Sequence, residues 1–243
     1  MSLKPRGLLI CVAVALCCFF PPSAGSQNPA SQGTDEAKRR LEENTSLYFP
    51  DRAFTLSRPS VDKQTRDGIA WLALYLRSIG EPPLRDPSDD DSYKQESYRL
   101  VWMGFPGGKF FVLRLSIASN GAAKIFVKET SYKPTPYTEA DLLLKQEGTP
   151  SSEAVNGFRE LVARAKFWDL PSLLIPEPRM PDGSYWYFEG AKPDQCHVVY
   201  RRNPESHPDS LTDMGKYLAT TLAHLPDSVL NIPRSNRSEP IKP

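Results

Sequence analysis

The chain has 243 residues, with 30 basic and 29 acidic side chains, 24 prolines and four cysteines. A balance this close to neutral, with no run of lysine and arginine interleaved with aromatics, argues against a nucleic-acid binder. The length suffices for one domain with its own hydrophobic core.

The first 25 residues read as an export signal: a basic start at Lys4 and Arg6, an apolar run from Leu8 to Phe20, and small residues at Ser23, Ala24 and Gly25. As a helix, thirteen residues rise only about 20 Å, short of a hydrocarbon core of about 30 Å, so a cleaved signal is expected and no stable membrane span after it. Cleavage leaves 28 basic against 29 acidic residues, a formal charge of −1, and leaves Cys196 as the single cysteine. No internal disulfide framework is then available, and the expected location is periplasmic or secreted.

Residues 26–60 are polar and proline-containing and read as a flexible leader with one short helix near 34–43. A single domain is expected over 61–226. It opens with a helix whose Ile69, Leu72, Leu76 and Ile79 recur at helical spacing, and which Gly80, Pro82 and Pro83 stop. The acidic insert at 86–92 lacks the glycine and late glutamate of a calcium loop and reads as solvated. From Glu96 the period changes to that of strands. SYRLVWMGF, KFFVLRLSIAS and AAKIFVKETSY form an antiparallel meander, the last two joined across Asn120 and Gly121, and ADLLLKQEG extends it. In the second strand Phe111, Leu113, Leu115 and Ile117 point one way and Phe110, Val112, Arg114 and Ser116 the other, so the first set carries the core.

A helix capped by Thr149, with Val155, Phe158, Leu161, Val162, Ala165 and Trp168 as its stripe, ends at FWDLP. A hairpin over 182–202 follows, then a helix from about Asp209 with Leu211, Met214, Leu218, Leu222 and Leu225 on one side. The tail at 227–243 reads as disordered. The sum is α+β, an antiparallel sheet of about six strands with helices packed mainly on one face.

The hairpin concentrates ionisable groups. Trp186 and Phe188 alternate with Tyr185, Tyr187 and Glu189; Cys196, Val198 and Tyr200 alternate with His197, Val199 and Arg201. A register joining the two apolar sets gathers Glu189, His197 and Arg201 on the opposite face, with Gly190–Cys196 as the connection. Such a cluster reads as a binding site or a structural ion pair; a Glu189/His197 acid–base pair is the catalytic alternative. No serine elbow accompanies it, and Cys196 faces the core in that register. His197, His207 and His224 have no metal-ligand spacing, so no metal and no cofactor are expected.

Five segments carry a resemblance: EPPL at 81–84, ESYRLVW at 96–102, FWDLP at 167–171, DGSYWYFEG at 182–190 and CHVVYRRNP at 196–204. In their order and spacing the chain resembles an uncharacterised family of exported bacterial proteins. The resemblance implies Asp182, Gly183, Trp186, Gly190 and Pro204 as signature positions beside Glu189, His197 and Arg201. The chain departs from the family pattern at Cys196 and Arg202, where tyrosine and tryptophan are expected, and in MGFPGG, which replaces a more basic, histidine-containing segment. The family brings no established activity. The expected function is a non-enzymatic binding or interaction module of the cell envelope or extracellular space, taking a small ligand or an envelope protein; the alternative is a hydrolase or transferase using Glu189 and His197.

Overall fold

A computed structural model describes residues 39, 41–43, 45–50, 63–85, 94–104, 109–131, 142–173, 184–202 and 211–226. All of them belong to one compact unit that starts at Arg39. The expected signal peptide, the acidic insert, Asp182, Gly183, Pro204, His207 and the tail at 227–243 lie outside the described residues.

The elements follow the periods of the sequence. They are α1 (Lys63–Ser78), β1 (Glu96–Gly104), β2 (Lys109–Ile117), β3 (Ala123–Ser131), β4 (Leu142–Gly148), α2 (Ser152–Arg164), a 3-10 turn (Phe167–Asp169), β5 (Ser184–Lys192), β6 (Gln195–Arg202) and α3 (Leu211–Lys216). The last helix widens into a π-helical stretch, Tyr217–Leu222. All six strands form one antiparallel sheet in the order β4-β3-β2-β1-β5-β6. The first four strands pair with their sequence neighbours, as short connections favour, and the late hairpin returns to the open side of β1.

Strand alternation divides this sheet into two buried faces. On the first, Tyr98, Leu100, Trp102, Phe111, Leu113 and Leu115 meet Phe158 and Val162 of α2 and Leu218 and Leu222 of the π-helical stretch. On the second, Val101, Met103, Phe110, Val112 and Tyr187 meet Ile69, Leu72 and Leu76 of α1. Among the described residues, α2 and the last helix thus cover the first face and α1 covers the second. The second face, expected to be only half apolar, is closed by α1.

Three local features differ from expectation. The cap of α2 is Ser151, whose Oγ accepts from the Ala154 N–H at 3.2 Å, two residues beyond Thr149; the serine hydroxyl reaches a first-turn amide that is otherwise unsatisfied. Trp168 falls outside α2, because Lys166 turns left-handed (φ 50°) and starts the 3-10 turn. Tyr48, the last residue of a helical turn over 45–48, and Phe49, which follows it, lie inside the expected flexible leader and are buried in the core beneath α1. Two aromatic rings bury enough apolar surface to hold their backbone in place.

The sheet's edges are also unlike one another. Along β6 the Tyr200 N–H donates to the Ser172 carbonyl at 2.8 Å, so the chain after α2 lies on that edge. At the other edge, β4 exposes Leu142 (44%) and Leu143 (57%), and its register with β3 shifts between Glu129 and Thr130, which leaves Leu143 as an extra residue.

Candidate functional site

The late hairpin closes at Lys192↔Gln195, with Pro193 and Asp194 as a two-residue turn. Its register pairs Gly190 with His197, Glu189 with Val198 and Trp186 with Arg201. This differs by one residue from a register pairing Glu189 with His197, and a one-residue slip moves every side chain of a strand to the other face. The expected cluster of Glu189, His197 and Arg201 is therefore not assembled. His197 and Arg201 lie on the first face with Trp186 and Phe188; Glu189 lies on the second with Tyr187, Val198 and Tyr200.

On the first face His197 is buried among aromatic rings, its centroid 5.2 Å from Phe167 and 6.5 Å from Trp168. Arg201 is also buried; its Nη1 donates to the Tyr200 carbonyl at 2.7 Å and the Pro171 carbonyl at 3.0 Å. Trp186 packs in the core, and Gly190 lies beneath Phe167 and Trp168, where a Cβ would overlap both rings. Cys196 is a half-buried free thiol on the second face.

Glu189 has a different partner. Across β5 and β1 it pairs with Arg99, whose Nε and Nη2 donate to its two carboxylate oxygens at 2.9 and 2.6 Å. Such a fork fixes orientation as well as charge. Arg99 is wholly buried, and its Nη1 donates to the Pro82 carbonyl at 2.7 Å. Next to this pair sits Glu81, in the turn that follows α1: Arg114 Nε donates to it at 2.6 Å and Lys128 Nζ lies 2.8 Å away. Lys128 Nζ also donates to the Ile79 and Gly80 carbonyls at 3.2 and 2.9 Å, capping the end of α1; a cation there meets the negative end of the helix dipole. Tyr48 completes the group: its hydroxyl donates to the Glu81 carbonyl at 2.5 Å, and Arg99 lies over its ring at 5.6 Å.

Burial and charge act against each other here. Burial pushes Glu189 above the ordinary carboxylate range, with Arg99 pulling it back only in part. Burial also raises Glu81, but Arg114, Arg99 and Lys128 together outweigh it and hold that carboxyl below its usual range. Arg99 loses by desolvation, yet Glu189 and Glu81 raise its pKa further, so it stays charged. Burial raises the Tyr48 phenol to about 12. The arrangement holds charge and fixes geometry. It fastens the turn after α1, the Tyr48 segment and four strands to one another, and its carboxylates are committed to guanidinium and ammonium groups.

Sequence reading missed Arg99, Glu81, Arg114, Lys128 and Tyr48 as a set. One signal was present: Arg99 interrupts the apolar run of β1, and its alternation places it with Arg114 on the face opposite Leu100 and Leu113. Among the described residues no three His, Cys, Asp or Glu side chains are grouped to hold a metal ion, and no helix is long and apolar enough to cross a membrane. The chain matches no protein-family model and no curated protein in the comparisons made.

Proposed function

We propose that the chain is an exported binding module of the cell envelope or extracellular space, which holds a partner protein by adding an extended segment of it to the outer edge of β4. The observation that carries this reading is the exposure of Leu142 and Leu143 on an edge strand. A sheet edge presents a row of backbone donors and acceptors, and the group that complements such a row is another extended backbone; the leucines supply apolar contacts beside it. The bulged residue Leu143 and the charges of Lys145 and Glu147 discourage flat pairing between two copies of β4. A heterologous segment with apolar side chains facing the leucines meets both conditions.

The resemblance to exported bacterial proteins and the apolar run at Leu8–Phe20 support the location. A Glu189/His197 acid–base mechanism is not carried forward, because the sheet lies between the two side chains.

The test places a photo-crosslinking amino acid at Leu143 and, as a control, at Asp194 in the exposed turn of the opposite hairpin. One discrete partner is expected from Leu143 alone. A peptide copied from the crosslinked segment should then slow hydrogen exchange at the β4 amides, and Leu142→Asp should abolish that protection. A crosslink only to a second copy, or a peptide that binds without protecting β4, would overturn the reading.

A further inference from the structure

Two lysines meet across the last strand pair. Lys128 of β3 and Lys145 of β4 are direct cross-strand partners, so both side chains lie on the second face of the sheet. Like charges directly opposite one another are unfavourable, and a carboxylate beside each would relieve the pair. Lys128 finds one by turning inward, where its Nζ lies 2.8 Å from Glu81. Lys145 is exposed and finds none. Among the described residues the neighbouring carboxylates are already committed or lie elsewhere. Glu81 is shared by Arg114 and Lys128, and Glu147, on the same face of β4, is held by Lys124 at 2.8 Å. Glu129 lies on the opposite face, across from Phe111.

β4 is the last strand of the sheet, so Lys145 has β3 on one side and no strand on the other. A strand added outside β4 would set one residue directly opposite Lys145, with Cβ atoms about 4.5–5.5 Å apart, and a carboxylate there would pair with the exposed ammonium. The same face carries Leu142, three residues earlier in β4 because the bulge inserts Leu143; β3 covers that interval with two residues, Lys128 and Thr130. A regular strand therefore meets Lys145 and Leu142 with side chains two positions apart on one face. Glu147, already neutralised by Lys124, places no demand of charge on the segment.

We infer that the partner segment added at β4 carries an aspartate or glutamate opposite Lys145 and an apolar side chain two positions away, against Leu142. This rests on the reading of β4 as a strand-addition edge, and it names the chemistry by which the segment is chosen. The backbone ladder is common to every extended sequence, whereas the charge opposite Lys145 separates one sequence from another.

The probes are three capped peptides of alternating threonine and valine, with one central valine replaced by glutamate, glutamine or lysine. Either strand direction then places a valine two positions from the replaced residue. Each peptide is titrated into the wild type and into Lys145→Glu while hydrogen exchange is read at the β4 amides. For the wild type the affinities should fall in the order glutamate, glutamine, lysine, with about three- to tenfold between the ends. The spread should shrink at about 1 M salt, where the Debye length is about 3 Å. Lys145→Glu, a change at an exposed side chain, should invert the order. Equal protection by all three peptides, or an order that Lys145→Glu leaves unchanged, overturns the inference while the edge reading stands. If no peptide protects β4, both fall. Protection that rises with protein concentration in the absence of peptide makes a second copy the occupant and likewise overturns the inference.

Discussion

The two faces of one sheet are stabilised in different ways. On the first, Leu100, Leu113, Leu115, Phe158 and Phe188 form a contiguous apolar core beneath α2 and the π-helical stretch. On the second, an apolar half under α1, built on Val101, Phe110 and Val112, gives way within one row of residues to Arg99, Arg114 and Glu189, with Lys128 and Glu81 beside them. Apolar packing is non-directional and tolerates exchange of similar volumes; buried ion pairs are directional and fail when one member is lost. The first face supplies bulk stability. The second fixes where α1 ends and where Tyr48 sits.

Removing one charge from the second face should give the largest effect. Arg99→Met leaves Glu189 buried without its guanidinium, and a loss of about 3–5 kcal/mol is expected in denaturant unfolding. The double change Arg99→Met with Glu189→Met should recover most of it, since a matched apolar pair can replace a buried ion pair. On the first face, Leu113→Met conserves volume and should cost less than about 1.5 kcal/mol, which sharpens the contrast.

Acid should separate the two carboxylates of the second face. Glu81 titrates below the ordinary carboxylate value in the folded state. Its share of stability is complete above that ordinary value, about 4.3, and is lost as pH falls through the lower folded value. Glu189 acts in the opposite sense. Its folded pKa is raised, so its share is present below the ordinary value and is lost as pH rises through the raised one. Glu81→Gln should therefore flatten the acid limb of a stability-against-pH curve, whereas Glu189→Gln should remove a decline on its higher-pH side; unfolding followed at a series of pH values reads both. If Glu81→Gln leaves the acid limb unchanged, the cations around it are not acting as described.

The smallest expected effect lies at the rim of the ionic group. Tyr48→Phe keeps the buried ring and loses one hydrogen bond to the Glu81 carbonyl, a cost of about 0.5–1.5 kcal/mol. Hydrogen exchange at the Phe49 amide, which donates to the Thr45 carbonyl, should quicken by a corresponding factor. No change in either quantity would mean that Tyr48 does not fasten this segment.

The contrast between the faces also explains what could be read from sequence. The alternation of Phe111, Leu113, Leu115 and Ile117 placed the first face correctly, and the spacing of Leu211, Met214, Leu218, Leu222 and Leu225 gave a buried helical side that survives the change to π geometry. The helix over Lys63–Ser78 and its stop at Gly80, which turns to φ 61°, followed from apolar spacing and chain breakers. The register of β5 with β6 did not follow. Register is strongly specified where one face is polar, but here both faces are covered, so Val198 and Val199 are buried on opposite sides and either set passes for the core. Pro193 and Asp194 lack the Asn-Gly or Asp-Gly signal of a two-residue hairpin, so the short turn was not legible. The ionic group was hidden for another reason. Glu81 meets Lys128 and Arg114, and Arg99 meets Glu189, across dozens of residues, and pairings of that range belong to topology rather than to local pattern.

The most direct test of the central claim, that Glu189 belongs to Arg99 and the sheet separates it from His197, is a pair of double-mutant cycles in chemical denaturation. One uses Arg99→Met with Glu189→Gln, the other His197→Phe with Glu189→Gln. The first should give an interaction energy of about 1–3 kcal/mol and the second should be additive within about 0.5 kcal/mol. Additivity between Arg99 and Glu189 together with strong coupling between Glu189 and His197 would contradict the register and restore the polar cluster.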